Sequence, residues 1–303
     1  MQNILVSVVI PNYCHACYLD QRIQSVLSQT YQNFEVIILD DCSPDEGASR
    51  LVIEKYRENP HVSHIVYNKV NSGSTFKQWE KGIGLAKGEL VWIAESDDYC
   101  EPTFLECVVP MLANDSSCNL SFCRTKAFNE NGETWLCWPE SLDTGIYKGT
   151  YFINNYMSIG NGIVNASAVL FRKQVAETVP TDYMTYKGAG DRLFWIYLLE
   201  TGNVGFVNEE LNHFRIHTSN TTKSKNMAGS NQREDKKILD YIFKKGHLNY
   251  NEYEACKKKY VRTMIFEMIE DKDLKRDLYK VWEFGKLSQL MLRFEAWGRK
   301  IGL

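Results

Sequence analysis

The sequence predicts an α/β fold: a mostly parallel central sheet with helices on both faces. Three observations carry this prediction. Strand-like and helix-like stretches alternate four times in the first hundred residues. The strand-like stretches are short apolar runs rich in β-branched residues. Several of them end in turns bearing Asn or Asp, at the sheet edge where open α/β folds bind ligands.

In chain order, Val6-Ser7-Val8-Val9-Ile10 is a first strand, stopped by Pro11-Asn12. A helix follows from about Tyr18 to Gln29, with Leu19, Ile23, Val26 and Leu27 on one face. Phe34 to Leu39 is a second strand, ending in Asp40-Asp41. Pro44 and Asp45 open a helix through Ala48, Leu51, Ile53 and Tyr56, and His64 to Tyr67 is a third strand. The turn Asn71-Ser72-Gly73 leads to a helix whose end is placed near Lys87-Gly88, with the glycine as its C-cap.

The next stretch, Leu90-Val91-Trp92-Ile93-Ala94-Glu95-Ser96-Asp97-Asp98-Tyr99, organises the rest. An apolar strand here delivers three carboxylates to its C-terminal edge. Clustered carboxylates repel one another, and a divalent cation relieves that repulsion. Oxygen ligands suit Mg²⁺ or Mn²⁺, ions that commonly carry substrate phosphates. An acidic turn or helix cap is the plainer explanation of the same residues.

Composition narrows the function classes. The chain has 303 residues, 44% hydrophobic and 24% charged, with net charge −3. That balance suits a globular protein with a sizeable core and gives no argument for nucleic acid. No apolar run approaches the roughly 20 residues of a membrane span. Met1-Gln2-Asn3 lacks the basic region of a signal peptide. Nine scattered cysteines read as reduced thiols, which leads us to expect a cytoplasmic protein.

The turns at Pro11-Asn12-Tyr13, Asp40-Asp41 and Asp97-Asp98 are expected to share one crevice. It would offer an aromatic ring, an acid for a base or ribose, and an acid for a metal. No Gly-x-Gly-x-x-Gly follows the first strand and no Gly-x-x-x-x-Gly-Lys-Ser/Thr occurs. Dinucleotide and phosphate loops of those kinds are therefore absent, and phosphates would need a cation instead.

These residues carry a family resemblance. Val8-Val9-Ile10-Pro11-Asn12-Tyr13, Ser25 to Tyr31, Phe34 to Ser43, Gly82-Ile83, Ala86 to Glu89 and Ser96-Asp97-Asp98 form an ordered set over about 90 residues. The set resembles the family 2 inverting glycosyltransferases of the GT-A fold, a three-layer α/β/α sandwich. The resemblance implies a nucleotide-sugar donor, usually a UDP-sugar, held with Mg²⁺ or Mn²⁺. It places Pro11 and Tyr13 against uracil, with Asp41 as the acid that reads the base beside Asp40. It places Asp97 beside the ribose and diphosphate, and makes Asp98 the metal ligand. Two segments depart from the family: Glu95 stands where Asp is common, and Phe76 to Lys81 replaces the usual text before Gly82. Lys77 remains placed to face a phosphate. Trp79 reads equally as a core aromatic or a ligand contact.

The second half is less regular, as an acceptor half would be. Leu120 to Cys123 and Ala168 to Arg172 read as strands. Trp135, Trp138, Tyr147, Tyr151 and Tyr156 lie between them, for core packing or for stacking on sugars. Glycines at 188 and 190 suggest a mobile loop before Asp191, which opens a strongly apolar helix. Spacing alone makes Asp191 an N-cap; the resemblance makes it the general base. A carboxylate there would take the acceptor's proton while a cation offsets charge on the leaving diphosphate, giving inversion by direct displacement. Leu211 to His217 alternates as a strand with His213, Arg215 and His217 on one face, suggesting anion contact. His217 is a candidate metal or phosphate ligand, since related enzymes carry an Arg-x-His segment there. The polar run from Thr218 to Ser230 reads as a flexible loop or lid.

Three regions follow: a nucleotide-sugar half over 1–100, an acceptor half over 101–225 and a helical extension over 226–303. The extension carries apolar stripes at Ile238-Leu239-Ile242-Phe243, Met264-Ile265-Met268-Ile269 and Leu287-Leu290-Met291-Phe294. Basic clusters beside them permit a membrane surface or a second copy as partner. A glycan or lipid-linked acceptor is expected, in cell-surface polysaccharide or glycan synthesis. Other classes compete. Cys14-His15-Ala16-Cys17 at a helix start would suit a thioredoxin-like redox pair with a low-pKa thiol. A non-catalytic nucleotide-sugar binder or a nucleotidyltransferase would use a similar sheet.

Overall fold

The computed structural model describes residues 4–137, 139, 142–217 and 229–300, of which 295–300 are described by their backbone alone. The chain divides into two compact units. The first comprises Met1–Phe152, Gly162–Thr185 and Gly190–Thr218; the second comprises Ile153–Asn161, Tyr186–Ala189 and Ser219–Leu303.

The first unit is built on one sheet. Its strands are β1 (Val6–Asn12), β2 (Phe34–Asp40), β3 (Val62–Tyr67), β4 (Leu90–Ile93), β5 (Tyr99–Cys100), β6 (Cys118–Asn129), β7 (Thr134–Leu136), β8 (Gly145–Tyr147), β9 (Val169–Arg172) and β10 (Asn203–Ile216). The spatial order is β3-β2-β1-β4-β9-β6-β10-β5, with β7 beside β6 and β8 beside β10. β1 runs parallel to β2 and β4, β2 to β3, and β10 to β6; β9 is antiparallel to β4 and β6. The helices are α1 (Ala16–Leu27), α2 (Ala48–Glu54), α3 (Thr75–Leu85), α4 (Phe104–Ala113), α5 (Gly149–Phe152), α6 (Lys173–Ala176) and α7 (Gly190–Glu200).

Pleating sends alternate residues of β1 to opposite faces. Val6, Val8 and Ile10 join Leu19, Ile23 and Val26 of α1 and Phe104, Leu105 and Val108 of α4 in one core. Val9 points the other way, against α3 at Gly82. On that second face Trp79 of α3 packs against Phe194 and Trp195 of α7, at 6.0 and 5.7 Å between ring centres. The sheet is therefore covered on both sides, as the apolar runs predict.

The register fixes the edge that matters. Val6 to Asn12 pair in step with Phe34 to Asp40, and Val6 to Val9 with Leu90 to Ile93. The chain therefore leaves β1, β2 and β4 at the same edge.

Some element boundaries differ from the sequence reading. The second helix starts at Ala48, because Asp45 instead caps the turn by accepting from Ser49 N–H and Oγ at 3.0 and 2.5 Å. The third ends at Leu85, and Gly88 is not its C-cap. Gly88 lies against the β1 backbone, where a Cβ would come 2.5 Å from the Leu5 carbonyl oxygen. β10 begins at Asn203, well before the alternation at Leu211; its pairing with β6 shifts register around Val207 to Asn212.

The second unit contains α8 (Ser230–Lys244), α9 (Tyr250–Tyr260), α10 (Lys272–Val281) and α11 (Lys286–Lys300). Ile238, Leu239 and Ile242 are buried, as their spacing predicts, and so are Ile265 and Ile269, whereas Met268 of the same stripe is exposed. Trp282 is fully buried, stacked on Tyr260 at 4.2 Å, with its indole N–H donating to the Gln232 carbonyl. The carboxylate of Glu234 accepts from the backbone N–H groups of Lys187, Gly188 and Ala189 at 2.7 to 2.9 Å. The segment read as a mobile glycine loop is thus held by three charge-assisted hydrogen bonds. The run expected to be a lid lies, from 218 to 228, outside the described residues.

Candidate functional site

The three turns meet at the edge set by the strand register, and the polar side chains of each lock it to the next. Asn12 Nδ2 donates to Asp40 Oδ1 at 2.8 Å, and Ser43 donates to Asp40 through its hydroxyl and backbone N–H. His15, at the start of α1, places Nδ1 2.9 Å from Ser96 Oγ. Pro11 is buried and Tyr13 is 45% exposed beside it.

Asp41 is buried and holds the loop before α3. Its Oδ1 accepts from Asn68 (2.6 Å) and Gln78 (3.0 Å), the Ser72 N–H reaches both carboxylate oxygens at 2.9 and 3.1 Å, and Oδ2 also accepts from the Ser72 hydroxyl at 2.7 Å. Lys77 is exposed and donates to the Ser72 carbonyl at 3.1 Å.

The acidic turn after β4 divides its carboxylates. Asp98 is buried. Its Oδ2 accepts from Ser167 Oγ at 2.6 Å and Asn165 Nδ2 at 3.0 Å, and its Oδ1 from the Arg215 N–H at 3.0 Å. The guanidinium of Arg22, itself fully buried, stands 3.9 Å away. Asp97 turns the other way, with Oδ2 3.1 Å from His217 Nε2. Glu95 accepts from the Trp79 indole N–H at 2.8 Å. Burial, with the Asp97 charge adding, pushes the Glu95 carboxyl up to about 8. Burial and Asp97 also raise Asp98. Burial works to raise Asp97 too, but the His217 hydrogen bond and the nearby His15 outweigh it, and its net shift is downward. Asp97 is therefore the carboxylate of this turn most favoured in its ionised form.

The ligand atoms of His15, Asp97 and His217 lie within 4.8 Å of one another. A cation with bonds of about 2.1 Å spaces its ligands by roughly 3 to 4 Å, so a small closure of the side chains would seat one. Two imidazoles and the ionised carboxylate are a suitable donor set.

Of His213, Arg215 and His217, it is His217 that brings its side chain to a carboxylate of the acidic turn. His213 stacks on Tyr99 at 4.3 Å and bonds Glu101 at 2.7 Å. Arg215 is sandwiched between Tyr18 and Phe128, 4.6 Å from each ring centre, and donates to the Asp97 carbonyl. These two side chains fix the turn instead of facing a ligand. Trp79 is a core residue, 1% exposed, that also anchors Glu95.

Asp191 lies in the first turn of α7, half-buried. Gly190 before it allows close approach: a Cβ there would meet the Phe76 ring at 2.5 Å and the Tyr183 carbonyl oxygen at 2.6 Å. The Phe194 and Trp195 rings, one turn on from Asp191, pack on Trp79 and so tie α7 to Glu95. Among the aromatics between the strands, Trp135 and Tyr151 are exposed at 45% and 48%; Trp138 lies outside the described residues.

Cys14 and Cys17 are free and exposed. Burial, then the charges of Asp45 and Asp40, push the Cys14 thiol up, opposite to what a redox pair requires. Sequence reasoning missed Arg22, Asn165, Ser167 and His15 as members of this site. His15 alone stood in view, inside the Cys-x-x-Cys segment.

The sequence pattern described as Glycosyl transferase family 2 matches residues 7–179, more than half the chain. The chain is 28% identical over 226 residues to the putative teichuronic acid biosynthesis glycosyltransferase TuaG of Bacillus subtilis (strain 168), covering 73% of this chain and 82% of that protein. Among solved structures it resembles Staphylococcus aureus TarS 1-349 in complex with UDP-GlcNAc, with TM-score 0.67, 17% identity, and 92% and 79% of the two chains covered. It also resembles the mannosyltransferase PcManGT from Pyrobaculum calidifontis in complex with GDP-Man and Mn²⁺, with TM-score 0.60, 15% identity, and 96% and 79% covered. Among the described residues no helix is long and apolar enough to cross a membrane.

Proposed function

The chain belongs to glycosyl transferase family 2 and is a glycosyltransferase, and we propose that it moves a sugar from a UDP-sugar to a hydroxyl acceptor with inversion. The observation that carries this reading is the meeting of three strand-end turns at one edge, with Asp97 against His217.

Pro11 and Tyr13 take one side of the uracil, and Asp41 is the acid that reads the base. Asp40 holds these turns together. Lys77, exposed and donating to the Ser72 carbonyl, swings to a phosphate. The UDP and UDP-GlcNAc complexes of TarS support this donor class. A divalent cation, Mg²⁺ or Mn²⁺, sits on Asp97 and His217; Asp98 stands behind them, its oxygens given to Ser167, Asn165 and the Arg215 N–H. The cation, when bound, offsets the charge gathering on the leaving diphosphate.

Asp191 acts as general base. Its carboxylate accepts the proton of the acceptor hydroxyl as that oxygen bonds to the anomeric carbon. The bond from that carbon to the diphosphate oxygen breaks on the opposite face, so configuration inverts. Asp191→Asn should keep UDP affinity while transfer falls roughly 10²- to 10⁴-fold. Unchanged transfer would place the base elsewhere, and a product retaining the donor's configuration would contradict direct displacement.

The acceptor is a glycan or a lipid-linked glycan, in assembly of a cell-surface polysaccharide; the name of TuaG, a putative teichuronic acid biosynthesis glycosyltransferase, supports the polysaccharide setting. α11 supports a membrane-surface encounter: Leu287, Leu290, Met291 and Phe294 are all exposed at helical spacing, beside exposed Lys286 and Arg293. Sedimentation with anionic phosphatidylglycerol vesicles, lost in Phe294→Glu, is expected. Self-association without vesicle binding would assign this face to a homodimer instead.

A further inference from the structure

We propose that His15 is a third protein ligand of the cation, so that the site loads before the nucleotide arrives and prefers a transition-metal dication to Mg²⁺. This rests on the reading of Asp97 and His217 as cation ligands, and extends it. His15 lies outside the acidic turn and outside the segment bearing His217; the turn between β1 and α1 brings it in.

Three observations support the assignment. The donor atoms of His15, Asp97 and His217 converge within 4.8 Å. The His15 and His217 rings are neighbours, meeting edge-on with 5.6 Å between centres at 89°. The Nδ1 of His15 already has its partner, Ser96 Oγ at 2.9 Å. A ligating histidine typically secures one ring nitrogen in this way, which fixes the ring and presents the other nitrogen to the metal. The hydrogen-bonded Nδ1 leaves Nε2 as the coordinating atom. Ser96 is thus a positioning residue, supplied by the same turn that supplies Asp97.

The chemical consequence follows from ligand number and type. A site with a single carboxylate needs the diphosphate oxygens to complete a stable shell. Two imidazoles and a carboxylate make a three-point site without them. Imidazole nitrogen favours transition-metal ions, whereas Mg²⁺ keeps oxygen ligands and gives up its waters reluctantly.

Titration with Mn²⁺, read by loss of the free-ion electron paramagnetic resonance signal, tests this on the whole chain with and without UDP. The wild type is expected to take up Mn²⁺ without UDP and to keep it against a large excess of Mg²⁺. His15→Gln should lose at least roughly tenfold in nucleotide-free affinity, since even outer-shell partners are worth about 10- to 100-fold, and should regain binding when UDP is added. Equal nucleotide-free binding by the two proteins, or uptake by the wild type only with UDP, or ready displacement by Mg²⁺, would overturn the proposal. Failure of the wild type to bind Mn²⁺ even with UDP would sink the underlying cation reading instead. Electron spin echo modulation of the wild-type Mn²⁺ complex needs no variant: two coordinated imidazole nitrogens are expected, and a single one would overturn the two-histidine site.

Discussion

The chain carries the dipeptide Asp-Asp twice at one sheet edge, and the two copies have opposite fates. At 40–41 both carboxylates are buried and turned into the protein, one tying β1 to β2 and the other holding the loop before α3. At 97–98 only the second turns inward, to Ser167, Asn165 and the Arg215 N–H; the first meets two imidazoles. The same residues in the same strand-end position become structural or chemical according to what the neighbouring elements present. Amide and hydroxyl donors absorb a carboxylate as an anchor, whereas imidazoles beside it make a candidate cation site.

The largest effect should come from Asp98→Ala, which strips the partner from buried Arg22 and leaves the Ser167 and Asn165 donors empty. Loss of one member of a buried ion pair costs about 3–5 kcal/mol, so the melting temperature should fall sharply; a near-wild-type melt would show that Asp98 is not an anchor. Asp97→Asn should fold normally, lose Mn²⁺ binding and reduce transfer by roughly 10²- to 10³-fold. Were it to keep both, the division between the two carboxylates would be wrong. Asp41→Asn is expected to cost about 1–3 kcal/mol, because the new amide faces the Ser72 donors, while Mn²⁺ uptake without UDP stays at the wild-type level. A change in that uptake would mean that the two turns are not independent.

Much of the first hundred residues was legible. β1, β2, β4 and their polar ends follow from apolar runs closed by Pro11-Asn12, Asp40-Asp41 and Glu95 to Asp98, and their convergence follows from parallel strand order. What escaped were partners from distant sequence. Nothing in the text around Arg22 or Ser167 marks them, because a lone arginine in an amphipathic helix ordinarily points to solvent and a serine has no periodic signature. His15 escaped for another reason: two flanking cysteines drew attention to thiol chemistry. Gly88 was misread because a glycine after a helix suits a C-cap, and only the position of the Leu5 backbone shows its true use.

The sequence by itself determined the order of strands and helices, the family, and the edge at which polar groups gather, since these depend on local patterning and strand direction. Only tertiary structure decided which carboxylate meets the imidazoles and which is an anchor. That choice depends on groups 67 to 120 residues away, brought within about 3 Å by packing across β4, β9 and β10.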